Sequence, residues 1–225
     1  MFRVCLFVVL FQGLWIGCAH GITQTYEQKE TVYYDPFERV NRKIFRFNQV
    51  VDRIVLKPIA KGYLFVTPKV VQSKAHNVLQ NLLEPLNALN GLLQWKPKAF
   101  LTSMSRFVLN STWGILGAND IMKGAGLDYQ HLDFNTTLSY YCIPHGPYVV
   151  LPIVGPSSSR GIAGLVVNTV ADPFYYVDSD GFKIGRTIGT MVDGRARVMS
   201  ATDFIAKSSL DEYVTYRTLY FQQQK

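Results

Sequence analysis

The side chains that most often carry chemistry are thinly spread in this chain. Its four histidines, His20, His76, His131 and His145, have none of the short spacings that build zinc helices or fingers. Ser157-Ser158-Ser159 beside Arg160 sets hydroxyls next to a cation, as an activated nucleophile would need. After Gly155-Pro156, the same residues also read as a polar turn. Asp178-Ser179-Asp180-Gly181 begins like a calcium loop, but the later ligands do not follow, which leaves a turn. There is no Gly-x-Ser-x-Gly elbow, no Walker loop and no His-Glu-x-x-His helix. The expectation is a non-enzyme with neither cofactor nor metal.

The composition suggests what does the work instead. Charged residues are 17% of the chain, against roughly 25% in ordinary soluble domains, and aromatic residues reach 13%. A water-facing surface needs charge, so the shortage implies that much of the exterior faces something else. The 23 Lys and Arg outnumber 16 Asp and Glu, for a formal +7. That excess attracts nucleic acid, anionic lipid or acidic protein and does not choose among them.

The N-terminus chooses. Arg3 followed by the apolar run Val4 to Phe11 is an export signal, too short to span a bilayer. Export argues against a nucleic-acid partner. Gly17 directly before Cys18 resembles a bacterial lipobox, although Trp15 occupies the place usually held by Leu. Residues 1–17 are therefore expected to be a lipoprotein-type signal, Cys18 the lipid anchor, and 18–34 a polar tether before a single domain over 35–225. With Cys5 removed and Cys18 acylated, Cys142 stays alone; without acylation a Cys18–Cys142 bridge becomes an option. After the signal, no apolar run is long enough for a transmembrane helix.

The remaining elements are mostly helical. Asp35-Pro36-Phe37-Glu38 reads as a capping box opening a helix that ends near Pro58. Phe37, Val40, Ile44, Phe47, Val51, Ile54 and Val55 share one side of it, within about 100°. Arg39, Arg42, Lys43, Arg46 and Arg53 gather on another, and Phe45 lies off the apolar stripe. Such a helix either packs its greasy side on a core or lies among lipid headgroups. A second run starts at Thr67-Pro68 and is broken by Pro85, and its Leu82 to Trp95 portion is apolar nearly all round. A third follows Lys96-Pro97-Lys98, and a second capping box is expected at Ser209 to Glu212. Glycines 114, 117, 124 and 126 loosen the middle, and Gly146 to Pro156, rich in Pro and Gly, must extend and turn. That segment suits a pore wall, an interfacial hairpin or a buried structural loop. The fold class is mainly α, with about six to eight helices.

Tyr34-Asp35-Pro36-Phe37-Glu38-Arg39-Val40-Asn41-Arg42, with Phe45-Arg46-Phe47-Asn48, resembles the opening signature of the MlaA/VacJ family. Gly146-Pro147-Tyr148-Val149-Val150-Leu151-Pro152, then Gly155-Pro156 and Arg160, resembles its second signature. Asn81 to Pro85 and Arg106 to Thr112 look like its connecting segments, in order and in register. The resemblance implies a ring-like helical domain seated in one leaflet of an outer membrane, with a Gly/Pro-rich amphipathic hairpin or loop. It implies removal of mislocalised phospholipid from the outer leaflet through an amphipathic channel, for delivery to a periplasmic MlaC-type carrier that feeds an ABC transporter complex. Trimeric porins are implied partners.

On that resemblance, Asn41, Phe45, Phe47 and Asn48, with Gly146, Pro147, Tyr148, Leu151 and Pro152, shape the channel or hold helix to loop. Arg42, Arg46 and Arg160 attract phosphate or are solvated. A polar-lined passage lowers the several kcal/mol that a headgroup meets in hydrocarbon, with no covalent step. Two rivals remain: a phospholipase, for which no nucleophile with a base is found, and an envelope scaffold that binds porins without passing lipid.

Overall fold

The computed structural model describes residues 34–224. Helix α1 (Glu38–Val51) runs through a π-helical segment (Asp52–Leu56) into α2 (Lys57–Val66). Then come α3 (Lys69–Asn81), α4 (Glu84–Leu93), α5 (Pro97–Thr112) and the short α6 (Ile121–Gly124) and α7 (Phe134–Tyr140). A hairpin of β1 (Tyr148–Leu151) and β2 (Gly155–Ser158) precedes α8 (Ser159–Ala171), a 3-10 turn (Pro173–Tyr176), α9 (Asp180–Ser208) and α10 (Glu212–Gln223). The domain is mainly α with one small hairpin. Counting Glu38 to Val66 as one rod, the described residues hold nine, slightly more than expected. The surplus is α6, set among glycines where no helical period shows, and the short α7.

Several starts and stops differ from the sequence reading. The Asp35 capping box does not form: Phe37 is the N-cap of α1 and takes no side-chain bond. The Asp35 carboxylate instead accepts from Asn41 Nδ2 at 2.8 Å, Arg217 Nη1 at 3.0 Å and the Tyr213 hydroxyl. Pro58 does not end the helix either. The wider π turn before it leaves Pro58 in the first turn of α2, where a missing N–H breaks no α-type bond. Pro85 does break its run, opening α4. At the last helix the N-cap is Asp211, accepting from Val214 N at 3.3 Å, while Ser209 closes α9. Ser158 caps α8 by accepting from Gly161 N at 3.1 Å, which gives the serine cluster its turn role. Ser179 caps α9 in the same way. Cys142 is disulfide-bonded rather than alone, and the described residues hold no second cysteine. The expected signal, the Cys18 anchor and the tether up to Tyr33 lie outside the described residues.

Polarity is distributed the opposite way from a soluble domain. Among the described residues, nine apolar side chains are buried against fifteen polar or charged ones. The helices turn their greasy sides outward, as Ile54, Phe65, Leu92, Leu101, Val108 and Phe204 do. An apolar exterior over a hydrogen-bonded polar interior is stable where the surroundings are lipid. No helix among the described residues is long and apolar enough to cross a membrane. The small apolar core of Phe45, Tyr148, Val150 and Tyr213 clamps α1, the hairpin and α10 together.

Candidate functional site

α1 positions the site through two asparagines two helical turns apart. Asn41 Nδ2 donates to the Tyr148 carbonyl at 3.0 Å, and Val150 N–H donates to Asn41 Oδ1 at 3.0 Å. Asn48 repeats the pattern, donating to the Leu151 carbonyl and accepting from Ile153 N–H, both at 2.8 Å. The Tyr34 carbonyl accepts from Tyr148 N at 3.2 Å. Side-chain amides thus stand in for a third strand and leave little of this edge of β1 unpaired. β2 covers the other edge, in antiparallel register from Tyr148↔Ser158 to Leu151↔Gly155.

Beneath this zipper lies a cavity of about 330 Å³ between α1 with its π segment, the hairpin turn, the end of α9 and the start of α10. Phe45, Leu56, Ile153, Pro156, Ala206 and Tyr216 supply apolar wall. Asp52, Arg53, Lys57, Arg195, Asp203 and Glu212 supply charge, three of each sign. Most of these charges are cross-linked over the gap. Arg195 holds Asp52 with two bonds, at 2.5 and 2.9 Å, and donates to Thr202 at 2.9 Å. Lys57 reaches Asp203 at 2.6 Å, and Gln49 donates to Glu212. The hydrogen bond to Asp52 raises the Arg195 pKa, and the bond from Lys57 holds the Asp203 carboxyl below its ordinary value. Burial pushes the Tyr216 hydroxyl up. The result is an amphipathic, charge-balanced recess with no nucleophile and base in contact. No group of three His, Cys, Asp or Glu among the described residues could hold a metal.

Not every residue singled out in the sequence meets here. Phe45 and Asn48 line the cavity, and Asn41, Tyr148 and Leu151 brace its roof. Gly146, with φ +69°, and Pro147 lead into β1, and Pro152 opens its exposed turn. Phe47 points outward, 52% exposed. Arg42 pairs with Glu38 at 2.8 Å and Asp211 at 2.9 Å. Arg160 is buried and donates to Asn135, the Ile143 carbonyl and Gln224, at 2.8–3.1 Å. Arg46 is exposed. The sequence reading missed Asp52, Lys57, Arg195, Asp203, Glu212 and Tyr216, which come from segments over a hundred residues apart. The one available signal was Asp52, the sole acid between Arg39 and Lys57.

A second buried charge cluster lies between α4 and α5. Arg106, its side chain 3% exposed, donates to Glu84 at 2.5 Å, Asp120 at 2.9 Å and the Leu127 carbonyl at 2.6 Å. Asn110 joins Asp120 at 3.1 Å, and Asn87 joins Glu84 at 3.4 Å. Burial raises the Glu84 pKa against the pull of Arg106.

Comparison with known proteins decides the lineage. The family model for the MlaA lipoprotein matches residues 33–225. The chain belongs to the MlaA lipoprotein family. A relative in Escherichia coli, the intermembrane phospholipid transport system lipoprotein MlaA, is 30% identical over 93% of this chain and 82% of its own length. An uncharacterized protein of Rickettsia typhi is 35% identical over 82% of this chain and 74% of the relative. A solved structure described as the structural basis for maintenance of bacterial outer membrane lipid asymmetry matches with a TM-score of 0.75. It is 29% identical in sequence, and the match covers 84% of this chain and 96% of that one. Membership makes this chain an outer-membrane lipoprotein and not an enzyme.

Proposed function

We propose that the protein removes mislocalised phospholipids from the outer leaflet of the outer membrane and passes them to a periplasmic carrier of the MlaC type, feeding an ABC transporter complex. The observation that carries this reading is the recess between α1, the hairpin, α9 and α10, amphipathic and charge-balanced inside a domain whose exterior is apolar. A headgroup enters such a recess without shedding its polar contacts into hydrocarbon, while acyl chains keep to the apolar side. Phe45 and Asn48 form its wall, Asn41 and Gly146 to Pro152 hold the roof, and Arg42 and Arg160 keep the surrounding elements fixed. The helices ring this passage within the periplasmic leaflet, and a trimeric porin is the neighbour. The phospholipid-transport name of the Escherichia coli relative supports the substrate class.

The test is outer-leaflet phospholipid in a deletion strain, read by surface acyl transfer to lipid A or by chemical labelling. A rise on deletion, reversed by the intact gene and not by an Arg195→Gln or Asp52→Asn variant of equal abundance, is the expected result. No rise, with the protein confirmed in the outer membrane, contradicts it and favours a porin-binding scaffold.

A further inference from the structure

α1 has three sides, and only one of them serves the cavity. Asn41, Phe45 and Asn48 face the hairpin and the aromatic core. Val40 and Phe47, with Ile54 in the π-helical segment beyond, face outward at 54%, 52% and 67% exposure. Between these two sides run Arg39, Lys43 and Arg46, spaced four and three residues apart and within roughly 60° of one another around the helix. All three are exposed, and no ion pair or hydrogen bond engages them among the described residues. The nearby acids are taken: Glu38 by Arg42 and Arg217, and Asp52 by Arg195. Arg53, also exposed, continues the cationic side to the cavity's rim.

We infer that this stripe is a docking surface for the phosphates of anionic lipids, holding α1 in the plane of the headgroups. The argument is the depth at which the cations must sit. The apolar side next to them is outward and unpartnered, so it takes the acyl region as its surroundings. Cations at its margin then reach headgroup level, with their methylene stems along the apolar boundary. A layer of anionic headgroups satisfies several such cations at once, whereas an acidic protein partner would leave Val40, Phe47 and Ile54 uncovered beside it. This inference does not depend on the transport reading, because it concerns the outer side of α1 and not the recess.

The test uses the full chain reconstituted in phosphatidylcholine bilayers, with spin-labelled phosphatidylglycerol and phosphatidylcholine competing for the protein surface. A cation at an anionic surface is worth roughly a five-fold preference when fully engaged. Averaged over the whole lipid shell, phosphatidylglycerol is expected to associate at least about two-fold more strongly than phosphatidylcholine at low salt. The preference should vanish in high salt and in Arg39→Gln/Lys43→Gln/Arg46→Gln. It should persist in Lys74→Gln/Lys98→Gln/Lys207→Gln, which removes equal charge from exposed positions elsewhere. All substituted positions are exposed, so unchanged thermal unfolding is expected and serves as the folding control. Equal association of both lipids with the unaltered chain, or equal loss in both triple variants, overturns the inference. So does loss of an acidic protein partner in the stripe variant with its lipid preference intact.

Discussion

Two clusters of charge lie inside this apolar-coated domain, and they differ in what their charges still have to offer. Around Arg106 the side chains of Arg106 and Glu84 are 3% and 0% exposed, and hydrogen bonds engage both carboxylates and the guanidinium. Around Arg195 the pairing is as close, yet Asp52 and Asp203 keep 30% and 36% of their side-chain surface, and a cavity separates the walls. A closed network fixes the fold. An open one can exchange its partners for those of a guest.

Removing one arginine from each cluster gives the sharpest contrast. Arg106→Met should leave Glu84 and Asp120 buried and unpaired, at a cost of about 3–5 kcal/mol. Thermal unfolding in detergent and protein abundance in the membrane measure it; a loss below about 1 kcal/mol would remove the distinction between the clusters. Next in size is Asn41→Ala, which strands the Tyr148 carbonyl and the Val150 N–H, for roughly 2 kcal/mol. Faster hydrogen exchange in β1 should accompany it. Arg195→Gln breaks a partly exposed pair and should cost no more than about 1 kcal/mol while abolishing lipid removal. A stability loss as large as that of Arg106→Met would class the cavity lining as structural.

The smallest effect is a pH dependence. Burial, with Arg160 nearby, lowers the His145 pKa, so the folded state favours the neutral ring. The unfolded state then binds the extra proton, and stability present above about pH 6.5 is lost as pH falls below it. His145→Phe should flatten the unfolding midpoint through that window, and an unchanged slope would assign the dependence elsewhere.

What was legible in the sequence follows from this contrast. Helical period located α1, the break at Pro85 and the turning segment after Gly146, because these are local matters of spacing and backbone. The direction in which each helix faces was not local. Val40 and Phe47 read equally well as core, and only the apolar outer belt together with the buried Asn41 shows that α1 keeps its amides inside. Asp35 looked like a cap because its neighbours fit one, but Asn41, Tyr213 and Arg217 compete for the same oxygens and win. The cavity's charges were illegible for a similar reason: Asp52 meets Arg195, and Lys57 meets Asp203, only once α9 folds back along the π-helical segment and α2.

The central claim is that headgroups enter the recess while acyl chains stay on the belt. The most direct measurement is photolabelling of the membrane-embedded protein by a phospholipid carrying its reactive group on the headgroup, with labelled peptides mapped by mass spectrometry. Labels on residues 49–57 and 195–216, lost when Ala206 is replaced by Trp to fill the recess, are the predicted result. Labels confined to the outer belt around Leu92 and Leu116, unchanged by Ala206→Trp, would contradict it.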